Sequence, residues 1–266
     1  MITSKNIREG RASTVKVKIN GQCMNCCVFC PFNRNTSLLE IEDLVKLFSM
    51  LEDDTYFRII INGGEPTIHP RFIEITQFLK ERFKGVVRLE LGTNLIALYS
   101  SRVNAKRKLN SVLETYDRIQ VGCDDEHQNI SHLENLAPIL SYAEVDVAVN
   151  SILDYCSAET KTRLIRLEKK YDFDVYFSGL HHDYRQLPVL QNVKIPCVTR
   201  VRDLLVNCNG DVFFCYHQEH ELPIFNLHNK TSSMGKALIA EYEPEIYEFC
   251  RCCERYSPES AHSSGD

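Results

Sequence analysis

The chain has 266 residues, 44% hydrophobic and 25% charged, with a net charge of -5. That length can bury a barrel-sized core, and the acidic balance leaves no nucleic-acid footprint. No run reaches the length of a membrane span, and Met1–Asn6 lacks the apolar core of a signal peptide, so a cytoplasmic protein with neither a membrane nor a nucleic acid as partner is expected.

Apolar strand patterns fall at 14–20, 56–62, 86–92, 117–123, 145–152 and 174–179, with amphipathic helix patterns between them at about 38–52, 71–84, 99–114, 130–142 and 157–171. Gly85 stands where a left-handed cap would close the second helix. This rhythm predicts an α/β fold with parallel strands and crossover helices. Six such units suggest a partial (β/α)6 barrel with its site at the C-terminal strand ends. By period two, Val15, Val17, Ile19, Ile59, Ile61, Leu89 and Leu91 share an apolar face for the helices, while Lys16, Lys18, Asn20, Arg58, Asn62, Arg88, Glu90, Gln120, Asp146 and Asn150 share a polar one. A polar lumen suits an open barrel holding polar ligands, although low-lying Lys16, Arg58 and Asp146 are expected simply to face water. After about residue 190 the pattern changes to a hairpin, Leu204–Asn207 and Val212–Tyr216, around Asn209-Gly210, which predicts a type I′ turn. A helix near 234–248 and a polar tail follow. The predicted domains are a barrel at 1–190, a small hairpin-plus-helix module at 191–256 and the tail at 257–266.

Twelve cysteines are many for a reducing compartment, where clustered thiols point to metal rather than disulfides. Cys23, Cys27 and Cys30 follow the first strand with C-x3-C-x2-C spacing. Three thiolates can hold three irons of a cubane and leave the fourth open. Cys26 leaves another reading, two C-x2-C pairs around a structural zinc, but adjacent Cys26 and Cys27 reach one ion awkwardly; on the cubane reading Cys26 is a spare thiol.

With Phe29 before the last cysteine and Gly63-Gly64-Glu65-Pro66 at the next strand end, the chain resembles the radical S-adenosylmethionine (radical SAM) enzymes. The resemblance implies a [4Fe–4S] cluster on Cys23, Cys27 and Cys30 whose open iron takes SAM. It also implies that Gly63, Gly64, Glu65 and Pro66 meet the methionine amino group, the glycines admitting a close ligand approach and Glu65 pairing with the ammonium. Phe29, Asn94, Asp124 and Asn150 occupy further cofactor-side positions of the family. Gly122 departs from the family's Ser-x-Asp pattern beside the ribose.

Cys197, Cys215, Cys250 and Cys253 resemble the twitch half of the SPASM extension, which implies one auxiliary [4Fe–4S] cluster; the competing reading of these four is a zinc ribbon. Cys252 is a candidate hydrogen-atom donor and Glu90 a candidate general base, whereas Cys123 reads as a small buried hydrophobe and His181-His182 as solvent-facing. The layout resembles small twitch-type dehydrogenases of aminocyclitols, with a polar small-molecule substrate and a flavodoxin- or ferredoxin-type reductant. A carbohydrate epimerase, a peptide-modifying maturase and a non-enzymatic zinc-binding module are the alternatives.

Overall fold

The computed structural model describes residues 14–30, 35–51, 58–99, 103–143, 145–178, 204–213, 223, 225–229, 231 and 234–235. Six strands, β1 (Thr14–Asn20), β2 (Arg58–Gly63), β3 (Arg88–Thr93), β4 (Arg118–Gly122), β5 (Asp146–Ile152) and β6 (Asp174–Ser178), alternate with five helices: α1 (Ile41–Met50), α2 (Phe72–Phe83), α3 (Val103–Thr115), α4 (Ile130–Tyr142) and α5 (Ala158–Tyr171). The six strands pair in parallel in chain order, as crossover units require. The order β6-β5-β4-β3-β2-β1 leaves an open sheet rather than a closed ring.

Local chemistry sets the helix ends. At α1, Glu40 and Asp43 form a reciprocal capping box, with Glu40 N donating to Asp43 Oδ2 at 3.0 Å. Ser157 caps α5 by accepting from Thr160 N, and Asp172 ends that helix in the left-handed region at φ 57°. Gly85 takes φ +80° just past α2, as its position in the sequence foretells. The apolar strand face packs on the helices: Val17, Ile19, Ile59, Ile61, Leu89, Leu91, Ile119, Val121 and Val149 are fully buried with Leu44, Leu47, Ile75, Leu79, Val112, Leu133, Leu140 and Leu164.

The C-terminal hairpin differs from expectation twice. Strands β7 (Leu204–Val206) and β8 (Asp211–Phe213) are antiparallel, but Gly210 alone within the loop has positive φ, +85°. Asn207 N bonds Asp211 O and Gly210 N bonds Asn207 O, so the connection is a three-residue loop closed by a glycine bulge, not a type I′ turn. Moreover, β7 pairs in parallel with β1, so β7, β8 and β9 (Phe225–Asn226) continue the barrel sheet across its β1 edge. This covers an edge that would otherwise expose unpaired backbone. The turn Leu227–Asn229 meets α1 there: Lys46 Nζ donates to Leu227 O, and His228 Nδ1 lies 3.3 Å from Asp43 Oδ1.

The lower end of the polar face is an ion-paired layer. Arg88 Nε lies 3.0 Å and Arg58 Nε 3.8 Å from Glu90 Oε1, Arg88 and Arg118 share Asp146, and Arg118 Nη2 lies 2.8 Å from Asp174. Arg58 and Asp146 therefore belong to a cross-strand lattice rather than merely facing water. Higher on the same face, Gly92 and Ala148 carry little side chain beside Lys18, Asn62 and Gln120.

Candidate active site

The C-terminal ends of β1 to β4 converge on the Cys23–Cys30 loop. Asn20 ends β1 at a register irregularity opposite Gly63. Its Oδ1 accepts from Gln22 N at 2.7 Å, and its Nδ2 donates to Glu65 O at 3.0 Å. Gly64 N donates to Asn20 O and Glu65 N to Gln22 O, each at 2.7 Å. The motif glycines make this approach possible. A Cβ on Gly64 would lie 2.1 Å from Gln22 O, and one on Gly63, at φ +146°, would lie 2.3 Å from Asn20 O. The close neighbour of both glycines is thus the entry to the cysteine loop, a use the motif alone does not reveal.

Glu65 is completely buried. Its Oε1 accepts from Thr67 N at 3.1 Å, from Thr67 Oγ1 and from Thr93 Oγ1 at 2.8 Å, and its Oε2 accepts from Asn94 N at 2.7 Å. The carboxylate therefore caps the 3-10 turn Pro66–Ile68 and ties the end of β2 to that of β3. Burial pushes its carboxyl up, and the donors from Asn94, Thr67 and Thr93 oppose that. Lys108 of α3 bonds Thr67 O close enough for the Glu65 charge to act on it. Four protein donors hold this carboxylate in one orientation, so it pins the end of β2 to that of β3. Pro66 is buried at the first position of the turn it helps to start.

The three cysteines share one loop. Cys23 Sγ accepts from Asn25 N at 3.4 Å and from Asn94 Nδ2 at 3.7 Å, and Cys30 N donates to Cys27 O at 3.1 Å. Burial, then Asp124, Cys30 and Cys23, push the Cys27 thiol up to about 12, so metal loading there displaces protons. No three His, Cys, Asp or Glu among the described residues converge on a single ion. A cubane sends each of three thiolates to a different iron, so three thiols on one loop can hold a cluster. Buried Asp124 Oδ2 has no hydrogen-bond partner among the described residues and sits close enough to act on Cys27. Cys26 is exposed.

The remaining predicted residues divide. Asn94 reaches the site through Cys23 and Glu65. Phe29 packs its ring 5.0 Å from Tyr155 and 5.6 Å from His127. Asn150 is exposed, and its carbonyl accepts from Cys123 N. Glu90 is 2% exposed, paired with Arg88 and Arg58 and bonded by Gln120 Nε2. The carboxylate expected as a general base thus lies within the ion-paired layer. Cys123 is fully buried, and burial followed by Asp124 raises its thiol well above the ordinary range, in keeping with a packed hydrophobe. Cys197, Cys215, Cys250, Cys252, Cys253, His181 and His182 lie outside the described residues. Sequence reasoning placed Asn20 only on the polar strand face and missed Asn25, Asn129 and His127; only the missing side chain at Gly122 hinted at the last, whose imidazole fills that space.

These features have counterparts among known proteins. The family model described as the radical SAM superfamily matches residues 17–165. That is more than half of the chain, and the chain belongs to the radical SAM superfamily. Membership makes it one of an enzyme superfamily and implies SAM and an iron–sulfur cluster. Streptococcus suis SuiB bound to S-adenosylmethionine is similar in fold at 13% identity over 91% of this chain and 68% of that chain, TM-score 0.61. Native anSMEcpe with bound AdoMet and a Cp18Cys peptide is similar at 14% identity over 84% and 80%, TM-score 0.58. BtrN in complex with AdoMet and 2-DOIA is similar at 15% identity over 85% and 82%, TM-score 0.50. At such identities the likeness is one of fold. No curated protein sequence matches. Among the described residues no helix is long and apolar enough to cross a membrane.

Proposed function

We propose that the chain cleaves SAM reductively and oxidises a polar small molecule, of the sugar or aminocyclitol kind, by two electrons. The observation that carries the reading is the three-thiol loop, which Gly63, Gly64, Asn20 and Glu65 hold directly above a polar strand face. Cys23, Cys27 and Cys30 would hold the cluster. When bound, it supplies the electron that splits SAM into methionine and the 5′-deoxyadenosyl radical, which takes a substrate hydrogen. The chain's own residues orient the parts: Asn94 lies against Cys23, and Asn62 on the polar strand face would offer a contact to a hydroxylated or aminated substrate. Buried Asn62 Oδ1 has no partner among the described residues, so it suits a substrate donor. Cys197, Cys215, Cys250 and Cys253, within a C-terminal module at 191–256, would hold an auxiliary cluster to take the second electron, while the accompanying hydroxyl or ammonium proton of the substrate leaves to solvent. A flavodoxin- or ferredoxin-type protein would supply the first.

The test is anaerobic reconstitution with iron and sulfide, followed by assay of 5′-deoxyadenosine under dithionite with a panel of aminocyclitols and sugars. Iron for two cubanes, with a product lighter by two hydrogens, is expected. A product of unchanged mass would replace oxidation by epimerisation and bring Cys252 forward as donor. Zinc without SAM cleavage would overturn the reading.

A further inference from the structure

The turn between β4 and α4 grips the cysteine loop at three points. Asn25 Nδ2 donates to His127 O at 2.8 Å, Val28 N donates to Glu126 Oε2 at 3.3 Å, and the Phe29 ring packs on His127. These holds fall between the thiols, Asn25 between Cys23 and Cys27 and Val28 and Phe29 between Cys27 and Cys30, each within two residues of one of them. Phe29 also packs on Tyr155, with ring centroids 5.0 Å apart, and Cys23 Sγ accepts from Asn94 Nδ2. Met24 is 48% and Val28 70% exposed, and Cys26 is exposed, so burial does not fix its crest.

The turn is itself braced. His127 N and Nδ1 both reach Asp124 Oδ1, at 3.0 and 2.8 Å. The imidazole sits where a side chain on residue 122 would be; a Cβ on Gly122 would lie 2.9 Å from His127 Nε2. Gln128 takes a left-handed φ of +52°, a conformation that persists where its surroundings enforce it. Asn129 Nδ2 bridges Asn94 O and Gly122 O, both at 2.7 Å, joining the turn to the ends of β3 and β4.

We propose that Asp124–Asn129 is a clasp that sets the shape of the cysteine loop before any cluster is loaded, with His127 as its positioning residue. Gly122 is the seat that admits the imidazole, and Asn25 is the catch on the loop. The proposal concerns the thiol loop itself and stands apart from the reaction and substrate proposed above, so it is tested on the full chain before reconstitution. The probe is iodoacetamide, with alkylation of Cys27 and Cys30 followed by peptide mass and referred to buried Cys123 in the same molecule.

Asn25→Ala, which removes the bond to His127 O, and His127→Ala, which removes the imidazole bond to Asp124 Oδ1 that holds that carbonyl in place, are each expected to raise alkylation of Cys27 and Cys30 about ten-fold relative to Cys123, the effect of losing one part-buried hydrogen bond. The double variant is expected to react no faster than the quicker single one, because both open the same catch. His127→Asn, which keeps an amide donor for Asp124, is expected to recover most of the protection. Gly122→Ala, which displaces the ring while leaving every residue of the turn and of the loop in place, is expected to match His127→Ala. Wild-type rates in Asn25→Ala, or additive effects in the double variant, would overturn the clasp. If His127→Ala also exposes Cys123, the fold has been lost in that variant, and Asn25→Ala, which leaves the turn untouched, decides the matter alone.

Discussion

The two ends of the polar strand face carry similar residues and put them to opposite uses. At the N-terminal ends, Arg58, Arg88 and Arg118 stand against Glu90, Asp146 and Asp174, so three cations and three anions neutralise one another. At the C-terminal ends, buried Asp124 Oδ2, Asn129 Oδ1 and Asn62 Oδ1 have no partner among the described residues, and Leu95 and Gln128 adopt left-handed backbone. Unmet polar atoms and strain mark a site, whereas a closed ion lattice marks structure. Arg58 Nε and Arg88 Nε at the lower end also lack a hydrogen bond among the described residues, but each lies within 3.8 Å of the Glu90 carboxylate, so opposite charge rather than polarity separates the two ends.

The largest effect should come from breaking the upper end. Gly64→Ala would place a Cβ 2.1 Å from Gln22 O. The two backbone bonds that dock the cysteine loop would have to give way, so this variant is expected to load no stable cluster at Cys23, Cys27 and Cys30 while keeping its far-ultraviolet circular dichroism. Cluster absorbance after reconstitution checks it. Next comes Glu65→Gln, in which an amide donor would face hydroxyl and backbone donors. Leaving these buried groups unsatisfied is expected to cost about 2–4 kcal/mol, read from the urea midpoint with an unchanged denaturant slope. Wild-type stability there would mean that the carboxylate does not tie β2 to β3.

Much of this architecture was legible along the chain. The strand at 14–20 and the helix at 130–142 are found at those bounds, because a period of 2 or 3.6 is a local signal. Gly63 and Gly64 were legible as glycines needing a close approach, but their neighbour was not. It is the backbone of Asn20 and Gln22, and only the β1–β2 register brings it there. Glu90 was legible as a lumen residue, but its commitment to Arg58 and Arg88 is a cross-strand fact. Asn209-Gly210 signalled a hairpin, while its type was set by the Asn207–Asp211 pairing. Likewise, β7 beside β1 joins segments distant in sequence that share no motif.

The lower end allows a smaller and sharper test. Glu90→Gln would leave Arg58 and Arg88 without their shared anion, at a cost of about 1–3 kcal/mol, since both guanidiniums are partly exposed. SAM cleavage and product formation per folded chain are expected to persist. Lost product formation with intact stability would make Glu90 a base and blur the division between the two ends.

The smallest effect lies away from both ends, on the helical layer. Arg163 of α5 grips Glu134 of α4 with two bonds, Nε to Oε1 at 2.9 Å and Nη2 to Oε2 at 2.6 Å. Chiefly for that reason the Glu134 carboxyl is held below its ordinary 4.5, against a smaller opposing effect of burial. A depressed carboxyl contributes stability above its unfolded value and loses it as pH falls through its folded value. The side chains are 25% and 35% exposed, so water screens the pair, and Glu134→Gln is expected to cost no more than about 1 kcal/mol at neutral pH. The difference from wild type should shrink as the pH drops below 4.5 and vanish once Glu134 is protonated in both states. Paired urea titrations at neutral and acid pH read this directly. A difference that persisted in acid would show that packing, not charge, joins the two helices, whereas none at neutral pH would show this pair to be weaker than the lattice beneath the site.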